Sequence, residues 1–147
     1  MTDNEFARSA SLVVITQTLS VEEISSLVGC QPDRSRGKGD VRPGAVFPIP
    51  VKETSWELRE RADQSVALST LIERISERIL PLRDRFLGLV DAGCTFKLAL
   101  VQWISEDDPH GPGFVLDAKL MGFLAEIQAV LDVDQYVRDF SESPVSD

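Results

Sequence analysis

Residues 11–18 (SLVVITQT) are short, rich in β-branched side chains and without helical spacing, which predicts a strand. Ser20-Val21-Glu22-Glu23 follows with the spacing of a capping box: the Ser20 hydroxyl accepts from the Glu23 backbone N–H while the Glu23 carboxylate accepts from that of Ser20. Ile24, Leu27 and Val28 then share one helical face, Gly29 supplies a left-handed terminus, and Pro32 prevents the helix from restarting. Residues 30–44 (CQPDRSRGKGDVRPG) have no apolar periodicity, three glycines and two prolines, and predict a long exposed loop. Two strands are expected next, around residues 45–51 and 55–61. The second alternates Trp56 and Leu58 inward against Glu57 and Arg59 outward, whereas Pro48 and Pro50 remove ladder donors and limit the first to an edge strand or an extended approach to the sheet.

From residue 65 to 91 apolar side chains recur every three or four positions (Leu68, Leu71, Ile72, Ile75, Ile79, Leu82, Phe86, Leu89, Val90), the longest amphipathic pattern in the chain. Pro81 lacks an N–H and crowds the preceding turn, so a kink or two stacked helices are expected there. Gly93 resets the chain. Residues 94–104 (CTFKLALVQWI) predict a central strand, 113–117 a further strand, 119–128 a helix with Leu120, Phe123, Leu124 and Ile127 on one face, and 130–137 a last strand. That order implies split βαβ units: an α+β fold with a ferredoxin-like core, a mixed or antiparallel sheet with helices mainly on one face, and an additional βαβ-type unit.

Length adds that 147 residues make one domain, 1–147, with an ordered core from about 8 to 138 and a frayed tail at 139–147. No apolar stretch approaches the ~20 residues needed to cross a bilayer, and the first ten residues lack the basic-then-apolar order of an export signal. A cytoplasmic location follows, with Cys30 and Cys94 as reduced, partly buried thiols. The formal net charge of −9, from 24 acidic against 15 basic residues, disfavours nucleic acid, whose phosphates are bound by lysine and arginine displacing counterions. The same charge speeds encounter with basic partners, although many acidic proteins carry it for solubility alone.

Several chemistries lack their residues. His110 is the single histidine and lies in an acidic Pro/Gly turn (Asp107-Asp108-Pro109-His110-Gly111-Pro112), where an exposed loop imidazole is expected and no nucleophile adjoins it. Two cysteines 64 positions apart and one histidine match no zinc spacing. Gly37-Lys38 is followed by Gly39 where a phosphate loop requires Ser or Thr. Glu106, Asp107 and Asp108 are consecutive carboxylates without a calcium-loop spacing, so a solvated turn is expected. No catalytic residues, metal ligands or cofactor are therefore assigned.

The strand leading into an S-x-E-E-I helix that ends at Leu27-Val28-Gly29, then Pro32, Lys38-Gly39-Asp40, Trp56-Glu57-Leu58, the helix broken by Pro81 and the closing Leu131-Asp132-Val133-Asp134-Gln135-Tyr136 together resemble a bacterial family, the domain of unknown function DUF4279. The resemblance runs from about Ser11 to Tyr136. Cys30 departs from the aliphatic residue expected at its place, and a small thiol packs there equally well. The family carries no activity with it; some small acidic families of this kind resemble immunity proteins of bacterial toxin systems, which implies a partner-blocking role.

Two further readings concern the basic cluster Arg34, Arg36, Lys38 and Arg42. Either it is a solvated loop, or Arg34, Arg36, Lys38 and Asp40 bind a small anion near Trp56. Lys38 and Asp40 either fix the loop as a local ion pair or present donors to a ligand, and Trp56 is expected as a core anchor whose indole N–H finds a nearby carbonyl. The leading expectation is a non-enzymatic acidic module that acts through a protein partner, a basic one by charge, as a monomer or homodimer. The alternatives are a small-molecule or anion-binding domain using residues 34–42, or a structural homo-oligomer subunit.

Overall fold

The computed structural model of the chain describes residues 7–44 and 46–138. Strand β1 (Arg8–Thr16) leads into helix α1 (Val21–Val28), the short strand β2 (Arg34–Arg36) and strand β3 (Thr54–Ala62). Helices α2 (Leu68–Ile79) and α3 (Arg83–Asp91) follow, joined by a 3-10 turn at Leu80–Leu82, then strand β4 (Thr95–Ser105), helix α4 (Ala118–Glu126) and strand β5 (Val130–Arg138). The predicted capping box is present in both halves, Gly29 closes α1 at φ 89°, and Pro81 breaks the long amphipathic pattern into two helices, as its missing N–H requires.

The strands form one sheet in the order β2-β3-β1-β4-β5. β1 runs antiparallel to both β3 and β4, β2 is antiparallel to β3, and β5 is parallel to β4. The connections from β1 to β2 and from β3 to β4 each pass a helix and straddle one intervening strand, which is the ferredoxin-like arrangement; α4 and β5 add one parallel βαβ unit at the β4 edge. One face of the sheet packs against the helices. Leu12, Val14, Trp56, Leu58, Phe96, Leu98 and Leu100 meet Ile24, Leu68, Ile75, Phe86 and Phe123 in a single core. Phe86 stands edge-on to Trp56, Phe96 and Phe123, with ring centroids 6.0–6.4 Å apart, tying α3 to two strands and to α4.

Four expectations are corrected. Residues 46–51 form no strand, only an isolated bridge between Val41 and Pro50, because Pro48 and Pro50 cannot donate. The sheet edge falls instead at Arg34–Arg36, inside the stretch expected to be an exposed loop, where β2 pairs with Ser55–Glu57 of β3. Residues 113–117 form no strand either: Phe114 and Leu116 pack onto the core and the Val115 N–H donates to Ser69 Oγ. β1 begins earlier than its apolar run, at Arg8. The tail expected to fray, 139–147, lies outside the described residues.

Candidate functional site

With the helices on one side, alternate strand residues face away from them. Cross-strand register places Ser35 opposite Trp56, so Arg34 and Arg36, opposite Glu57 and Ser55, fall on the helix-free face while Trp56 enters the core. Trp56 is fully buried and its Nε1–H donates to Ser25 Oγ at 3.0 Å, a hydroxyl where a carbonyl was expected. Its indole therefore meets no ligand that sits against the arginines. Arg34 and Arg36 join Lys52, Glu57, Val13 and Ile15 around an open cavity of about 650 Å³. Arg34 Nε lies 3.5 Å from Glu57 Oε2. Arg59 and Arg61 continue the same face by strand alternation. Burial pushes the Arg59 guanidinium below its ordinary value, Arg34 and Arg61 push in the same direction, and Glu57 opposes them.

The start of β2 is pinned from behind. Asp33 accepts from the Arg59 backbone N–H at 2.8 Å and pairs with Arg78 at 2.9 Å, while Arg78 also reaches Glu60 at 2.7 Å. Burial works against the charge of Arg78, and its hydrogen bonds to Asp33 and Glu60 outweigh that, holding it above its ordinary value.

Lys38 and Asp40 serve a different place. The Asp40 carboxylate accepts from the Gly37 N–H at 2.8 Å, the Lys38 N–H donates to Thr54 Oγ1 at 3.1 Å, and Lys38 Nζ donates to the carbonyl of Gln17 at 3.2 Å. Gly39 sits at φ 94°, a conformation that favours glycine, and its N–H reaches Val51 O. These bonds fix the loop beside the start of α1, along a second cavity of about 490 Å³. Of the five residues singled out from sequence, Arg34 and Arg36 are brought together on the helix-free face, Lys38 and Asp40 brace the loop, and Trp56 is core.

The opposite half of the helix-free face belongs to β4 and β5. Trp103 and Tyr136, paired in register, stack with centroids 4.4 Å apart and planes 21° from parallel, and Tyr136 is 44% exposed. Lys97 and Asp132 approach to 3.7 Å on the same side. Sequence reading overlooked this aromatic pair, since the parallel register that joins the two strands is a tertiary fact. The signal available was the outward phase of Trp103 and of Tyr136 within their own strands.

A buried polar group was also missed. Arg8 is fully buried on the helix side of β1, and its guanidinium pairs with Asp108, whose side chain is 2% exposed. It also donates to the carbonyls of Val66 at 3.0 Å and Gln64 at 3.4 Å. Burial pushes Arg8 below its ordinary value, opposed by Asp63. Asp108 is thus no solvated member of the acidic turn, because its partner arrives from the other end of the chain. His110 is exposed as expected, with Nε2 3.1 Å from the Ser65 carbonyl.

The model of one family, the domain of unknown function DUF4279, matches residues 4–138. The chain belongs to the DUF4279 family. No curated protein and no solved structure matches it. The matched span ends on the last residue of β5, so the α4–β5 unit is part of the DUF4279 domain itself rather than an addition to it. The same span takes in both halves of the helix-free face.

Proposed function

We propose that this DUF4279 domain is a non-enzymatic binding module that engages a protein partner across the helix-free face of its sheet. The observation that carries the reading is the composition of that face: the half-buried Trp103 stacked on the exposed Tyr136 at one side and the Arg34, Arg36, Arg59 and Arg61 group at the other. Tryptophan, tyrosine and arginine are the residue types that dominate binding energy at protein interfaces, since they present large contact area with a polar or charged tip. The net charge of −9 adds long-range attraction for a partner that is basic overall. In its sharpest form the module works in the bacterial cytoplasm as an immunity-type inhibitor, covering a toxin's working surface.

Quantitative affinity capture from the native host lysate tests this with the wild type, Tyr136→Ala and, as a control on α4, Met121→Ala. The reading expects one partner retained by the wild type and by Met121→Ala, depleted about tenfold or more by Tyr136→Ala, and released as salt rises. No retained partner, or equal retention by all three proteins, contradicts it.

The cavity beside Arg34, Arg36 and Lys52 favours a second reading, a site for a small anion. A thermal-shift panel of phosphates, nucleotides and carboxylates decides that one; no stabilisation by any of them removes it.

A further inference from the structure

The two edges of the sheet are built in opposite ways. β2 is three residues long, carries Arg34 and Arg36, and follows Pro32, all of which discourage another strand from adding to it. β5 is nine residues long, pairs with β4 in unbroken register from Val130 to Arg138, and contains neither proline nor lysine. Its side chains are also unusually uncovered. Leu131 and Val133 are 45% and 38% exposed, and Val137 is 82% exposed, although their register partners Leu98, Leu100 and Ile104 lie on the helix side. Among the described residues no strand pairs with the outer side of β5.

We infer that β5 pairs antiparallel with β5 of a second copy of this chain, joining two sheets into one of ten strands about a two-fold axis. The pattern of residues sets the register. Antiparallel pairing about an axis normal to the sheet keeps each face continuous, so the central residue must oppose itself. Centring on Val133 sets Asp132 against Asp134 of the second copy, and centring on Asp134 sets that aspartate against itself; both oppose like charges. Centring on Gln135 places Asp132 opposite Arg138, Val133 opposite Val137 and Asp134 opposite Tyr136 of the second copy, pairing residues 132–138 of each strand. Centring on Tyr136 shortens the described overlap to residues 134–138. The Gln135 register alone avoids facing aspartates over that longer length, and it gathers the exposed Val133 and Val137 of both copies on the helix side. Tyr136 lies on both the paired strand and the helix-free face, whereas Val133 and Val137 lie on the helix side, so variants at those two valines test the pairing apart from the proposed partner. One strand edge is a small interface, and the association is expected to be concentration-dependent.

Light scattering on the full chain reads the state directly: the wild type is expected to approach twice 16.2 kDa as concentration rises. Val133→Lys and Val137→Lys are each expected to raise the dimer dissociation constant about tenfold with unchanged far-UV circular dichroism. The register has its own test, independent of those variants. Gln135→Cys brings two thiols opposite each other at the ~5 Å Cα separation that a disulfide accepts, and is expected to cross-link on mild oxidation beyond the wild-type background. Val133→Cys, whose copies stand about 13 Å apart along the strands, is not. A wild-type monomer at every concentration overturns the inference. So does a dimer indifferent to both lysines, or one in which Val133→Cys cross-links better than Gln135→Cys.

Discussion

Replacing Asp108 with asparagine leaves the Arg8 guanidinium charged and enclosed, and removing one member of a buried pair costs about 3–5 kcal/mol. Chemical denaturation is expected to read that loss for Asp108→Asn, whereas the double variant Arg8→Met with Asp108→Leu recovers most of it, because no charge remains to be solvated. A smaller effect is expected at the core indole. Ser25→Ala strands the Trp56 Nε1–H without its acceptor and lowers stability by about 1–3 kcal/mol in the same assay. The burial of Trp56 was legible, since strand alternation with Leu58 fixes its side of the sheet. Asp108 was not: a carboxylate in an acidic turn reads as solvated until its partner, 100 positions away, is brought beside it.

Elements were legible where local chemistry and tertiary packing agree. The capping box of α1 involves four adjacent residues, the break at Pro81 follows from one missing donor, and β5 announces itself by a β-rich run. Ser20→Ala is expected to lower the thermal stability of the chain by about 1 kcal/mol, read by circular dichroism, since it removes the acceptor for the Glu23 N–H. β2 was illegible for the opposite reason. Its Arg-Ser-Arg sequence has no apolar phase, and it is a strand because the outer edge of β3 supplies hydrogen-bond partners and Asp33 is held by Arg78 and the Arg59 N–H. That misplacement also hid the candidate site. Once residues 34–36 are a strand rather than a loop, alternation separates Arg34 and Arg36 from Trp56, and the loop chemistry of Lys38 and Asp40 becomes a separate device.

For the whole molecule, acid stability follows from carboxylates held below their ordinary range. Glu126 is lowered chiefly by its hydrogen bond from Arg83, and Asp63 by the Ser65 hydroxyl and then the Ser65 N–H. A carboxylate whose folded value lies below its unfolded one contributes stability above the ordinary range and loses it as pH falls through the folded value. Glu126→Gln is therefore expected to melt below the wild type at neutral pH, with the gap closing as pH drops through the carboxylate range. Comparing the two proteins at each pH cancels the easing of the general negative charge.

Hydroxyl-radical footprinting of the captured complex tests most directly which face meets the partner. Oxidation of Trp103 and Tyr136 is expected to fall on binding while Met121, 51% exposed on α4, reacts as before. Shielding of Met121 with undiminished labelling of Tyr136 would place the partner on the helices and contradict the account.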